Sequence, residues 1–517
     1  MVGQDGHKTP YGALAHSQAA REGTGMARTR GFRSRAGAVM TAAALGLGFQ
    51  GAMVAHPITA TASPGVSRHA VALATQTNFT PGSPGVGDPY FPLEGNGGYN
   101  VVHYNLDLSY DPASHHLGGS NTITATATQN LSRFDLDLVG YTVSRVQVNG
   151  AAATFRRVGP ELDITPSKGL PIGKRFVVEV WYAGVPHTII GSPIVFGAPY
   201  GWIYTKDGAF VGCEPNAART WYPANDHPSD KASFTFDITV PKSRKVVANG
   251  SLLTQRVRGD QATFVWRETQ PMATYLATID IGRWDFHSTT TPAGIPEFVA
   301  VDPTLASQAR TDHIIALTGR ITDFWARSFG RYPFSSTGGI VDHVPHVGFS
   351  LETQTRPLYG FVPSSGTASH ELSHQWFGDS VSVQTWQNIW LNEGFATYSS
   401  WFWTEHTGGP TTWRQANGLY GGIPAGSDFW KQSIADPQRN TMFSPAVYYR
   451  GALTLAALRH RIGDQDFATL LRTWVQVHRY RNATTAQFVA LAEKVSGQRL
   501  GQFFYVWLWK QAKPSQL

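Results

Sequence analysis

A single cysteine, Cys213, serves all 517 residues. No intramolecular disulfide is possible and no cysteine cluster can bind a metal, so any metal must be held by His, Asp or Glu. Charge is sparse as well, at 15% of residues against 42% hydrophobic, which excludes disorder over most of the length. The formal net charge of +7 shrinks when it is divided along the chain. Residues 1–62 hold Lys8, Arg21, Arg28, Arg30, Arg33 and Arg35 against Asp5 and Glu22, leaving 36 basic and 33 acidic residues beyond them. That net of +3 gives no support to a nucleic-acid partner.

Long apolar runs are scarce too. The one near the N-terminus, residues 36–55, is interrupted by Thr41, Gln50 and several glycines and ends at His56-Pro57, a poor fit to a membrane span. A basic stretch over residues 28–35 precedes it, and Ala60-Thr61-Ala62 follows as a cleavage site before Ser63. This pattern predicts a signal sequence within residues 1–62, started at Met1 or Met26. With no Arg-Arg pair there, the general secretory route is expected, with an extracellular destination. Membrane contact would then be confined to the signal segment if it stays uncleaved.

A chain of this length exceeds one typical core and is expected to divide. Residues 63–97, rich in Ser, Pro, Gly and Thr, read as a flexible leader. From Tyr99 the pattern has period two, in segments such as 102–108, 121–128, 134–138, 144–148, 176–181, 233–240, 262–266 and 273–281. Asn149-Gly150 and Asn249-Gly250 suit tight hairpins. Residues 98–302 are therefore expected as an all-β domain, an antiparallel sandwich or saddle. Past Pro303 the period becomes helical, with helices expected over 306–329, 452–462, 466–477 and 486–495. Thr484 or Thr485 is the cap of the last and Gly497 its stop. Residues 303–517 thus form a mostly helical second domain.

The densest chemistry lies in residues 369–396. His370-Glu371-Leu372-Ser373-His374 is an H-E-x-x-H string, and Glu393 follows after eighteen intervening residues. Positions i and i+4 share a helix face, so His370 and His374 can aim two imidazoles at one point. Glu393, on a second helical segment, supplies a third ligand. Two His and one Glu leave a fourth tetrahedral position open, which marks a catalytic zinc site rather than a structural one. Glu371, on the same turn, is placed to act as a base toward water and then as an acid toward a leaving amine.

H-E-x-x-H followed by Asn392-Glu393-Gly394-Phe395-Ala396 at this spacing resembles the gluzincin aminopeptidases, the family of aminopeptidase N and the leukotriene-hydrolase aminopeptidases. Further stretches carry the resemblance: Cys213-Glu214-Pro215-Asn216-Ala217-Ala218-Arg219, Met272-Ala273-Thr274-Tyr275-Leu276, and Phe329-Gly330-Arg331-Tyr332-Pro333-Phe334. Tyr448-Tyr449-Arg450-Gly451 is similar to the family's Tyr-x-Lys-Gly, with Arg450 in the Lys place. The similarity runs from about Tyr99 onward and is to a short, two-domain form, with a thermolysin-like second domain.

The resemblance implies one zinc per chain and peptide substrates with a free N-terminus. It implies Tyr448 as oxyanion donor, and Glu214 with Glu352 as partners of the substrate's α-ammonium. Around Glu352 the family's Gly-Ala-Met-Glu-Asn is replaced by Phe349-Ser350-Leu351-Glu352-Thr353, so the Glu is kept while the first Gly and last Asn are not. Phe349 is expected to reshape the first pocket. The expected function is hydrolysis of N-terminal peptide bonds through a metal-activated water. A secreted thermolysin-like endopeptidase and a non-catalytic peptide-binding relative are the competing readings.

Overall fold

The computed structural model describes residues 78–517. The expected signal segment and the start of the leader lie outside the described residues. Those described pack as one compact unit, β-rich first and helical afterwards.

The largest sheet has eight strands and is open. Its spatial order is Ser251–Arg258, Gln261–Met272, Ala232–Pro241, Tyr99–Asp111, His116–Ala127, Arg175–Gly184, Thr142–Val148 and Ala151–Ala152. Neighbours run antiparallel except Ala232–Pro241 beside Tyr99–Asp111, where Phe234 pairs with Tyr104 and Ile238 with Leu108 in parallel register. Period-two patterning puts Tyr104, Leu106, Leu108, Phe234, Phe236 and Ile238 on one buried face, continuous with the main core. The Asn149-Gly150 hairpin forms as read, with both residues at positive φ and Val148 opposite Ala151.

Four expectations change. Asn249-Gly250 makes no hairpin, because Lys245–Ala248 and Ser251–Arg258 belong to different sheets and the chain crosses between them. Asn249 closes that crossing by donating to the carbonyls of Leu276 and Gln354 and accepting from the Thr278 amide. Residues 273–281 are not one strand: Thr274–Leu276 is a buried 3-10 turn ahead of the strand Ile279–Gly282. The leader is not loose throughout. Asp88 accepts from the Trp386 amide at 2.8 Å and pairs with His227 at 3.1 Å, and Tyr90 donates to Asp436 at 2.5 Å. Residues 88–96 therefore act as a strap between the β-rich and helical parts.

A five-stranded sheet runs across position 302. Asp285–Thr290 and Pro296–Val301 pair onward to Thr337–Val341, Leu358–Tyr359 and Ser350–Leu351. The expected boundary at 302 thus cuts a sheet, since its first two strands precede the helical stretch that signalled the change. The helices are α1 (Gln308–Phe329), α2 (Ser365–His374), α3 (Trp390–His406), α4 (Thr412–Gly422), α5 (Gly451–Ile462), α6 (Asp464–Val477), α7 (Thr485–Ser496) and α8 (Gly501–Phe504). In α7 Thr484 and Gln487 form a capping box and Gly497 closes the end in the left-handed conformation, as their spacing foretold.

Candidate active site

Helix α2 begins at the cap Ser364, whose hydroxyl accepts the Thr367 amide at 3.1 Å, and its last turns carry His370, Glu371 and His374. Helix α3 packs against it and presents Glu393 from its first turn. The Nε2 atoms of His370 and His374 lie 3.3 and 3.6 Å from Glu393 Oε2. All three candidate ligand atoms fall within 4.8 Å of one another. Glu393 is buried and its Oε2 has no hydrogen-bond partner, an arrangement that a cation held between the two imidazoles and this oxygen satisfies. His374 Nδ1 sits 3.0 Å from the Phe377 carbonyl and donates to it, which leaves the Nε2 lone pair facing the ligand position. The donor set therefore fits zinc.

The surrounding carboxylates are close. Oxygens of Glu352 and Glu371 lie within 4.8 Å of a His374 nitrogen and of each other, and oxygens of Glu214, Glu352 and Glu393 form a second such group. Glu214 follows the strand Ala209–Gly212, and its peptide bond to Pro215 is cis. Glu352 follows Ser350–Leu351 and is fixed twice: Tyr275 donates to its carboxylate at 3.3 Å, and Gln375 donates to its backbone carbonyl at 3.3 Å. Glu214 Oε1 is buried without a partner.

Charge crowding is the electrostatic signature of the site. Burial, then repulsion from Glu352 and Glu393, pushes the Glu214 carboxyl well above its usual range. Burial likewise raises Glu371 and, against the pull of His374, Glu352. Glu393 goes the other way: burial opposes ionisation, but His374 and His370 hold its carboxyl down at about 2. Four carboxylates around two imidazoles make a pocket built for positive charge.

Tyr448 reaches this cluster from a π-turn, Ala446–Arg450, that leads into α5. Its ring lies parallel to that of His370, with centroids 6.1 Å apart and 13° between planes. The approach depends on two glycines. A Cβ on Gly394 would come within 2.8 Å of Gly451 Cα, and one on Gly451 within 2.6 Å of Gly394 Cα, so only glycine lets α5 pack this closely on α3. Arg450 then pins the turn, donating at 2.6–3.1 Å to the carbonyls of Trp430, Gln432, Val506, Trp507 and Lys510. An ammonium has three donors where the guanidinium has five, a physical reason for Arg at this point.

All seven residues singled out from the sequence (His370, Glu371, His374, Glu393, Glu214, Glu352 and Tyr448) converge here. Tyr275 and Arg450 lay inside recognisable stretches, but their contacts needed the fold. Thr353, where the family has Asn, turns away from the cleft: its hydroxyl donates to the Arg356 carbonyl at 2.5 Å and closes a buried turn. Phe349 faces a cavity that also touches Glu214 and Tyr448.

Comparison with known proteins agrees with this geometry. The peptidase family M1 domain matches residues 364–507 and the peptidase M1 N-terminal domain residues 204–276. The chain is 25% identical to a probable aminopeptidase 2 of Sulfurisphaera tokodaii over 410 residues, covering 73% of this chain and 50% of that protein. It is 24% identical to human glutamyl aminopeptidase over 392 residues, covering 69% and 39%. The chain thus spans about half or less of these curated relatives. Among solved structures, an M1 zinc metallopeptidase from Deinococcus radiodurans is 29% identical with a TM-score of 0.75, covering 83% of this chain and 98% of that one. A mutant of the Deinococcus protein bound to Tyr-Ser-Ala matches with the same TM-score and 28% identity.

Proposed function

From the matches to the peptidase M1 domains and the likeness to a solved M1 zinc metallopeptidase, we propose that this chain is an M1 zinc aminopeptidase that removes the first residue of peptides with a free N-terminus. The observation that carries the reading is the second carboxylate group: Glu214 and Glu352 stand within 4.8 Å of Glu393, beside the metal-binding triad. A peptide ammonium placed between them offsets their crowded charge and lays the first peptide bond over the triad. An internal peptide bond offers no such cation, so it gains nothing from the clamp.

The roles of the chain's residues follow. His370, His374 and Glu393 would hold the zinc, and the bound ion would supply Lewis acidity toward water and the scissile carbonyl. Glu371 accepts the proton of the attacking water and delivers it to the leaving amine. Tyr448 donates its phenolic proton to the oxyanion as charge develops there; burial and nearby Glu393 keep that phenol protonated well past neutral pH. The Deinococcus relative has been solved with Tyr-Ser-Ala, a free-amine peptide of the class proposed here. Hydrolysis of aminoacyl fluorogenic substrates by metal-replete protein, abolished by chelation and restored by zinc, tests the reading. Full activity after thorough chelation would sink it.

Export belongs to the same proposal. Support comes from the basic stretch, apolar run and Ala60-Thr61-Ala62 in residues 1–62. No described helix is long and apolar enough to cross a membrane. Protein recovered from culture medium should begin at Ser63; recovery only from the cell interior with residues 28–62 intact contradicts export.

A further inference from the structure

We infer that the first-residue pocket selects large apolar side chains and rejects acidic ones, and that Phe349 is the residue that sets this preference. The inference rests on the aminopeptidase reading and deepens it. A cavity of about 330 Å³ opens directly beside Glu214 and Tyr448. An N-terminal residue whose ammonium meets Glu214 and Glu352 therefore has this cavity as the place for its side chain.

The cavity's chemistry is one-sided. Apolar side chains, among them Val195, Phe196, Phe349, Leu351 and Phe443, make most of its wall, the hydroxyls of Tyr200, Ser350 and Tyr448 are its neutral polar groups, and no Lys, Arg, His or Asp lines it. The one carboxylate present is Glu214, already committed to the ammonium. A substrate Asp or Glu would be desolvated against mostly apolar walls with no cationic partner among the lining residues. A substrate Phe, Tyr, Leu or Met buries its surface instead. Arg and Lys fall between, because their stems can lie on the walls while the charged heads reach water past Phe196, 66% exposed at the rim.

Phe349 occupies the decisive position. Its ring meets Phe210 edge-on, with centroids 6.2 Å apart, so the side chain is braced and not free to swing away. Beside it, Gly212 contributes no side chain. A Cβ there would sit 3.4 Å from Leu351 Cδ2 and 3.5 Å from Phe349 Cε2, in ordinary contact, so a longer side chain at 212 fits the backbone but enters the cavity. Gly212 and Phe349 thus share one stretch of the cavity wall, where a side chain added at 212 or removed at 349 changes the space open to a substrate.

Two substitutions move the pocket in opposite directions. Phe349→Ala removes a wall, and Gly212→Leu fills the space. The experiment measures kcat/KM for Phe, Tyr, Leu, Ala, Arg and Glu aminoacyl substrates on the zinc-loaded wild type and both variants. The wild type should prefer Phe, Tyr and Leu over Glu by about 100-fold or more, with Arg intermediate. Phe349→Ala should lower the Phe-to-Ala ratio by about 10-fold, and Gly212→Leu should lower it further by excluding rings while sparing Ala. A wild-type profile that is flat or led by Glu overturns the inference, and it needs no variant to fold. A Phe349→Ala profile identical to wild type removes Phe349 from the role. If no free-amine substrate is cut while N-acetylated peptides are, the aminopeptidase reading itself fails; cleavage without this selectivity leaves that reading intact and rejects only the pocket assignment.

Discussion

The metal triad and the substrate clamp lie within a few ångströms of each other, yet they are assembled in different ways. The triad comes from one stretch of 24 residues, 370–393, on two helices packed side by side. The clamp draws Glu214 from the β-rich part and Glu352 from just past a short edge strand, and the oxyanion donor Tyr448 joins them from a π-turn, three points spread over more than 200 residues of sequence. The first depends on helix periodicity, a local property; the second depends on the whole fold being in register. Damage to the triad should abolish chemistry outright, while damage to the clamp should alter which substrates are used and how well.

The largest effect is expected for His374→Ala. Removing a ligand whose Nδ1 is already fixed on the Phe377 carbonyl should take bound zinc below stoichiometry and activity to background, read by metal analysis alongside turnover. Glu371→Gln should keep the zinc and lower kcat by about 10²–10⁴-fold, since only the proton carrier is lost. Loss of zinc in that variant would blur the contrast, because it would make Glu371 part of the metal cradle. Tyr448→Phe should lower kcat by about 10²–10³-fold with KM little changed, the pattern of a contact made in the transition state.

On the clamp side, Glu352→Gln should chiefly raise KM for free-amine substrates, by about 30-fold or more, through loss of a buried charge partner. If it instead lowered kcat with KM constant, Glu352 would belong with the catalytic set and the comparison would have to be redrawn. The smallest effect concerns the strap that keeps the two sets in register. Burial alone would raise the Asp88 carboxyl, but His227 and the Trp386 and Tyr90 amides hold it below its usual value. A carboxyl depressed on folding contributes stability that is present above its unfolded pKa and is lost as pH falls through the folded one. Asp88→Asn should therefore cost about 1.5–3 kcal/mol at neutral pH, and the gap to wild type should close below about pH 4, as shown by denaturant unfolding at several pH values.

The same contrast explains what could be read in advance. The histidine pair was legible because an i, i+4 spacing puts both on one helix face, and Glu393 because it follows at the spacing of a known zinc motif. Glu214, Glu352 and Tyr448 were reached only through resemblance, as nothing local to them announces that they meet. Arg450 shows the limit: its place after Tyr448 was visible, whereas its five carbonyl partners come from segments at 430–432 and 506–510. The Asn249-Gly250 crossing fails as a hairpin for a related reason. Turn chemistry fixes a local bend, but which sheet receives the next strand is decided by long-range packing. The strap at 88–96 was hidden because Pro and Gly composition signals a lack of regular structure, which is different from a lack of contacts.

The central claim is that a free α-ammonium, held by Glu214 and Glu352, decides which bond meets the triad. It is tested most directly by giving the zinc-loaded protein one peptide in two forms, with a free and an N-acetylated terminus, and measuring kcat/KM and the cleavage position by mass spectrometry. The account predicts removal of the first residue from the free form and at least about 100-fold slower cleavage of the acetylated one. Equal rates, or cuts at internal bonds in both forms, would contradict it.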